Sequence, residues 1–103
     1  MMKNTTKWLE IIEIRTGSNN SEKLERVLKT LVESFRDGQH QGKIKIYQRF
    51  AVQSDYSIHL LHKSNQQVTT GSELGHHLAA SLKEFGLLNH QVWHEMKYNL
   101  KTI

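Results

Sequence analysis

The sequence predicts an α+β fold of the ferredoxin-like type, with a four-stranded antiparallel sheet and two helices on one face, in the order β-α-β-β-α-β. Two segments carry apolar residues at the spacing of an amphipathic helix, and the segments around them alternate apolar and polar residues or are rich in β-branched ones. The 103 residues, of which 37% are hydrophobic, suffice for one small core. We therefore expect a flexible N-terminal segment over residues 1–7 and a single domain over residues 8–100.

The first half of the chain supplies the first strand and the clearest helix. Residues 8–16 combine β-branched and aromatic residues and stop at Gly17, which predicts a strand. An amphipathic helix is predicted next and should end at Gly38. Its apolar stripe consists of Leu24, Val27, Leu28, Leu31, Val32 and Phe35.

A hairpin is predicted in the middle of the chain. Residues 43–52 and 56–63 alternate apolar and polar side chains, and residues 53–55 form a short polar turn between them. We expect a register in which Phe50 faces Ile58 and Arg49 faces His59, because this pairing keeps the apolar residues of both strands on one face.

The last third predicts a second helix and a closing strand. Thr70 and Glu73 have the spacing of a capping box, in which threonine caps the helix and the glutamate side chain returns to the threonine backbone. The helix should end at Gly86, and residues 92–100 should form the fourth strand. The residues expected to face inward from this helix are Leu74, Leu78, Leu82 and Phe85.

The second face of the sheet requires a cover. The first strand is apolar on both sides, with Leu9 and Ile11 on one face and Ile12 and Ile14 on the other. A strand of that kind is normally covered on both faces, and two helices cover only one. We therefore expect a homodimer in which two sheets pack face to face and enclose a cavity. The odd-numbered hairpin residues should lie on this face, but alternation alone leaves the face of Trp93 open.

Composition and motifs exclude several functional classes. The net charge of +4 would favour an anionic partner, but several lysines alternate with glutamates on the first helix and do not form a basic patch. Nucleic-acid binding is therefore not predicted. The absence of cysteine excludes disulfides and thiolate metal sites. No membrane span, secretion signal or phosphate-binding loop is visible, and a cytoplasmic protein is expected.

The sequence also resembles a known group of proteins. The segments WLEIIEIR, KIKIYQRF, SIHLLHK, GSELGHHLAASLKEFG and QVWHEMKY together resemble the dimeric α+β barrel superfamily, and within it the antibiotic-biosynthesis-monooxygenase-like family, over roughly residues 8–98. The resemblance implies a small cytoplasmic homodimer with a pocket between sheet and helices. It also implies oxidation of phenols or quinols without metal or flavin. The haem-degrading branch is not matched, because the first strand lacks the asparagine of its Asn, Trp and His trio.

Seven histidines raise the question of a metal site, which their spacing does not support. His59 and His62 are expected on opposite faces of a strand, and His90 and His94 would lie about 13 Å apart along one. We predict neither a metal nor another cofactor. On the second helix, His77 lies nearer than its neighbour to the apolar stripe and is the better candidate to face a pocket.

These considerations lead to two hypotheses. In the first, the protein binds an aromatic or quinone-like metabolite as a cofactor-independent monooxygenase, with His59 or His77 as the base. Arg49 would hold the substrate anion, and Tyr47 and Trp93 would complete the substrate site. In the second, the protein is a non-catalytic ligand-binding or interaction module whose polar sheet residues only join two subunits.

Overall fold

The computed structural model describes residues 6–17, 21–37, 43–52, 54–64 and 70–96. The elements are β1 (Thr6–Thr16), α1 (Ser21–Asp37), β2 (Lys43–Gln48), β3 (Asp55–Ser64), α2 (Glu73–Leu82) and β4 (Gly86–His94), with a 3-10 turn (Lys83–Phe85) between α2 and β4. The strands form one antiparallel sheet in the order β2-β3-β1-β4. The predicted α+β class, element order and four-stranded sheet are confirmed, and this arrangement is consistent with the ferredoxin-like type.

The core lies between one face of the sheet and the two helices. Even-numbered strand residues such as Ile12 and Ile58 are buried together with Leu24 of α1 and Leu82 of α2. Because side chains alternate along a strand, the odd-numbered residues lie on the opposite face, which we call the open face. Tyr47, Ser57, His59 and Leu61 therefore share the open face as predicted, and Trp93 joins them from β4.

The hairpin register differs from the predicted one. Lys45, rather than Arg49, lies opposite His59, and β2 ends at Gln48. The chain then turns sharply, with Ala51 at a φ of 65° and a backbone hydrogen bond from Val52 N to Arg49 O. Phe50 is 96% exposed in this turn rather than paired with Ile58. The predicted pairing was wrong because local alternation does not reveal where a strand stops and its turn begins.

Three element boundaries also differ. The predicted flexible segment overlaps β1, which begins at Thr6. The cap of α2 is Ser72 and not Thr70. β4 begins at Gly86, directly after the 3-10 turn and not at residue 92. Only glycine fits at position 86, because a Cβ there would lie 1.9 Å from the carbonyl oxygen of Arg15 on β1. The predicted ends of the first helix and last strand, Gly38 and residues 97–100, lie outside the described residues.

Within the described residues, no helix combines the length and the apolar character that a membrane span requires.

Candidate functional site

A buried carboxylate occupies the centre of the helix-covered face. Glu10 of β1 is 0% exposed. His62 Nε2 lies 2.7 Å from its Oε1, and His90 Nε2 lies 2.8 Å from its Oε2. The hydroxyl of Ser72 also donates to Oε1. We call Glu10, His62, Ser72 and His90 the carboxylate cluster.

Sheet register brings the two imidazoles to opposite sides of Glu10. His62 of β3 pairs with Trp8, two positions before Glu10, and His90 of β4 pairs with Ile12, two positions after it. The two histidines therefore reach the carboxylate diagonally from both neighbouring strands, one to each oxygen. Among the described residues, no group of three or more His, Asp or Glu side chains is arranged to hold a metal ion.

The start of α2 forms a cradle for the same carboxylate. Ser72 caps the helix by accepting a hydrogen bond from Gly75 N at 2.9 Å. A Cβ at Gly71, whose φ is 97°, would lie 2.7 Å from Glu10 Oε2, and one at Gly75 would lie 1.9 Å from it. The two glycines thus make room for Glu10 at a helix N-terminus, where the helix dipole favours a negative charge.

Glu10 is ionised in this environment. Burial raises the pKa of Glu10, but hydrogen bonds from His62, Ser72 and His90 outweigh burial and lower the pKa to about 2. An ionised carboxylate only accepts hydrogen bonds, so the Nε2 atoms of both histidines must carry the protons. Nδ1 of each imidazole is then the nitrogen that does not bond to Glu10.

Aromatic contacts hold both imidazoles. The ring of Trp8, which is 6% exposed, stacks on His62 with a centroid distance of 4.0 Å and an interplanar angle of 20°. His90 meets His76 of α2 edge to face at 5.2 Å. The side chains of His62 and His90 are each 18% exposed, so both imidazoles remain partly accessible to solvent.

The predicted site residues lie outside this cluster. Tyr47 and His59 contact each other on the open face at a ring distance of 4.7 Å. His59 bonds to Ser57 Oγ at 2.9 Å, and its pKa is lowered by burial and by Lys45 although the charge of Glu13 raises it. Trp93 is 54% exposed on the same face.

Arg49 and His77 are separate from His59. Arg49 lies in the hairpin turn, and its Nη1 is 3.3 Å from Asp55 Oδ2. Arg15 Nε binds the other oxygen of Asp55 at 3.2 Å. The expected contact between Arg49 and His59 was wrong because it depended on the incorrect register. His77 lies exposed on α2.

Two grooves lie at opposite ends of the open face. One of about 470 Å³ is bounded by Leu9, Leu61 and Trp93 together with three lysines. The other, of about 620 Å³, contains Tyr47, Arg49, Arg15 and Asp55. Trp93 and Tyr47 therefore line different grooves. The pocket that we expected between sheet and helices remains a prediction.

Comparison with known proteins identifies no relative. No protein-family model, curated protein or solved structure matches this chain.

The buried charge should make the stability of the protein depend on acid pH. Because the pKa of Glu10 falls from 4.5 to about 2 on folding, its ionised form stabilises the fold fully above about pH 4.5. This contribution, about 3 kcal/mol, should be lost as the pH falls from 4.5 towards 2. Urea unfolding across this pH range measures it, with Glu10→Gln as the variant that lacks the titrating group. An unchanged acid dependence in the variant would contradict the assignment.

Proposed function

We propose that the protein is a cytoplasmic enzyme that binds an aromatic or quinone-like metabolite with a phenolic hydroxyl and removes the phenolic proton with His62. The observation that supports this proposal is the carboxylate cluster, in which a fully buried and ionised Glu10 binds Nε2 of His62. Chemistry of this kind needs a fixed imidazole with one free nitrogen, and the cluster supplies that arrangement.

The free-energy cost of burying the charge of Glu10 favours a functional role for the carboxylate cluster over a purely structural one. Neighbouring positions on the same face of β1 hold Ile12 and Ile14, which pack without any polar requirement. A buried charge must instead be compensated by several well-placed donors, and an apolar replacement is often neutral or stabilising. Titratable groups in such settings are concentrated at functional sites, which makes Glu10 and His62 the strongest candidates in the described chain.

The roles of the residues follow from their protonation states. The phenol gives its proton to Nδ1 of His62, and the negative charge of Glu10 stabilises the imidazolium that forms. Because the pKa of Glu10 is about 2, the proton stays on the imidazole and does not pass to the carboxylate. Stacking on Trp8 keeps the imidazole plane fixed during the transfer.

Oxygenation of the resulting phenolate needs no bound cofactor. Dioxygen adds to a ring carbon that carries hydrogen; one oxygen atom becomes a new carbonyl and the other leaves as water. The ring loses four electrons and dioxygen gains four, so a phenol and dioxygen give a quinone and water. The resemblance to cofactor-independent monooxygenases motivates this reaction, and the cluster supplies its first step.

A matched set of histidine variants tests the base. Oxygen uptake with 1-naphthol should fall about 100-fold or more in His62→Gln, because glutamine still donates to Glu10 but does not accept the phenolic proton. His59→Gln and His77→Gln should stay within about twofold of the unmodified protein. Full activity in His62→Gln, or loss of activity in His59→Gln alone, would refute the role of His62.

A non-catalytic homodimer is the second candidate, and the open face supports it. Tyr47, Leu61 and Trp93 are 49%, 36% and 54% exposed there, in line with a surface that a second copy covers. This candidate predicts no oxygen uptake with 1-naphthol or hydroquinone. It also predicts a dimer by sedimentation that dissociates in Leu61→Asp and persists in Lys29→Asp on α1.

A further inference from the structure

We infer that the groove of about 470 Å³ on the open face is a binding site for a flat aromatic ring that carries a carboxylate. We call it the lysine groove. Its lysines and Trp93 project from the face of the sheet opposite to Glu10, although His62 of the carboxylate cluster also borders the groove. The inference does not depend on the proposed reaction. The side chains that define it are Lys7, Leu9, Lys43, Leu61, Lys63 and Trp93.

Three lysines meet in this groove from three neighbouring strands. Lys7 of β1 and Lys63 of β3 are direct cross-strand partners, and Lys43 of β2 is paired with Leu61, one diagonal step from Lys63. All three are exposed on the open face. Like charges placed directly opposite each other destabilise a sheet, so this arrangement is unfavourable until an anion lies between them.

The charges of the lysine groove are not balanced by the described residues around it. Within the described part of the chain, Lys7, Lys43 and Lys63 form no ion pair. Glu95 is the one carboxylate among the lining residues, against three ammonium groups. The groove therefore has a positive excess that fits a ligand carboxylate.

The groove at the other end of the open face is different in this respect. Arg15 and Arg49 both bind Asp55 there, and Glu13 adds a second carboxylate to the lining. Its two positive charges are matched by two negative ones. Charge complementarity thus assigns the anionic ligand to the lysine groove and not to the other.

The apolar residues of the lysine groove indicate an aromatic ligand. Trp93 presents a half-exposed indole whose Nε1 is held by Gln91 Oε1 at 2.9 Å, and Leu9 and Leu61 lie beside it on the neighbouring strands. A fixed aromatic ring favours stacking with another ring. The volume also lies within the usual range for small-molecule sites, about 300 to 1,000 Å³.

The lysine groove is better suited to a small ligand than to contact with a second copy of the chain. Three unpaired ammonium groups in a dry interface would be costly, because each loses water without gaining an opposite charge. A carboxylate between Lys7 and Lys63 removes that penalty.

Binding of 2-naphthoate to the full chain tests the inference, with 2-naphthalenemethanol as the uncharged control. We expect 2-naphthoate to bind at least about tenfold more tightly than the alcohol and to lose affinity as salt rises. The double variant Lys7→Gln/Lys63→Gln should lose about tenfold in affinity, whereas Lys29→Gln/Lys83→Gln on the helices should stay within about twofold. Quenching of tryptophan fluorescence by 2-naphthoate should be strongly reduced in Trp93→Phe.

The same experiment separates this inference from the proposed reaction. 2-Naphthoate has no phenolic proton and Glu10 does not line the groove, so Glu10→Gln should bind 2-naphthoate normally even where oxygen uptake falls. Equal affinity for acid and alcohol, no binding of either, or unchanged affinity in the lysine double variant would overturn the inference. A double variant that alters self-association but not 2-naphthoate binding would assign the groove to a second copy instead.

Discussion

Replacement of Glu10 with alanine is expected to lower the free energy of unfolding by about 3 to 5 kcal/mol, the range for removal of one partner from a buried charged pair. The change leaves His62, His90 and Ser72 without the acceptor that all three share. It also opens a cavity where a fully buried side chain was. For a domain of this size, thermal unfolding should show a Tm lower by more than about 12 °C.

A matched control is available on the same strand. Glu13 lies three positions further along β1 on the open face, where its carboxylate accepts from Gln91 at 2.9 Å in an exposed setting. Glu13→Ala should change the free energy of unfolding by less than about 0.5 kcal/mol. Similar effects of Glu10→Ala and Glu13→Ala would mean that the carboxylate cluster does not hold the fold together.

Replacement of Gly75 with alanine is expected to destabilise the protein by more than about 2 kcal/mol, although alanine is the better helix former. A Cβ at this position would lie 1.9 Å from Oε2 of Glu10 and 2.6 Å from its carboxyl carbon. Glu10 has no free space to retreat into, because it is fully buried and held by three side-chain donors. Urea unfolding at neutral pH measures the loss.

A second substitution should identify the cause of that loss. Shortening the carboxylate with Glu10→Asp moves it away from position 75, so Gly75→Ala should cost less in the Glu10→Asp background than alone, by at least about 1 kcal/mol. Ser81→Ala, at a half-buried position of the same helix, is the control and should have a small effect. Strict additivity of Gly75→Ala and Glu10→Asp would show that the glycine does not serve the carboxylate.

The architecture was predictable because it depends on periodicity. The apolar stripe of α1 and the alternation within β3 are local signals, and these two elements formed close to their expected positions. The hairpin register was not predictable in the same way, since it depends on where β2 ends. The turn at Phe50 and Ala51 and the bond from Arg49 N to Asp55 O settle that point, and neither has a local apolar signature.

Less of the carboxylate cluster than of the fold could be predicted from the sequence. One signal was present, because Glu10 interrupts an otherwise apolar even-numbered set that includes Trp8, Ile12 and Ile14. Its histidine partners could not be found from spacing along the chain, since they are 52 and 80 residues away and meet only through the register of three strands. The spacing of histidines within one strand therefore could not reveal an arrangement that is built across the sheet.

A long-range ¹H–¹⁵N NMR spectrum of the histidine side chains at neutral pH, assigned with His62→Gln and His90→Gln, tests directly whether Glu10 is ionised. If Glu10 is ionised and accepts from both rings, each of the two histidines will carry a proton on Nε2. A proton on Nδ1 with a bare Nε2 in His62 would place the shared proton on Glu10. That result would contradict both the ionised carboxylate and the proposed role of His62 as the base.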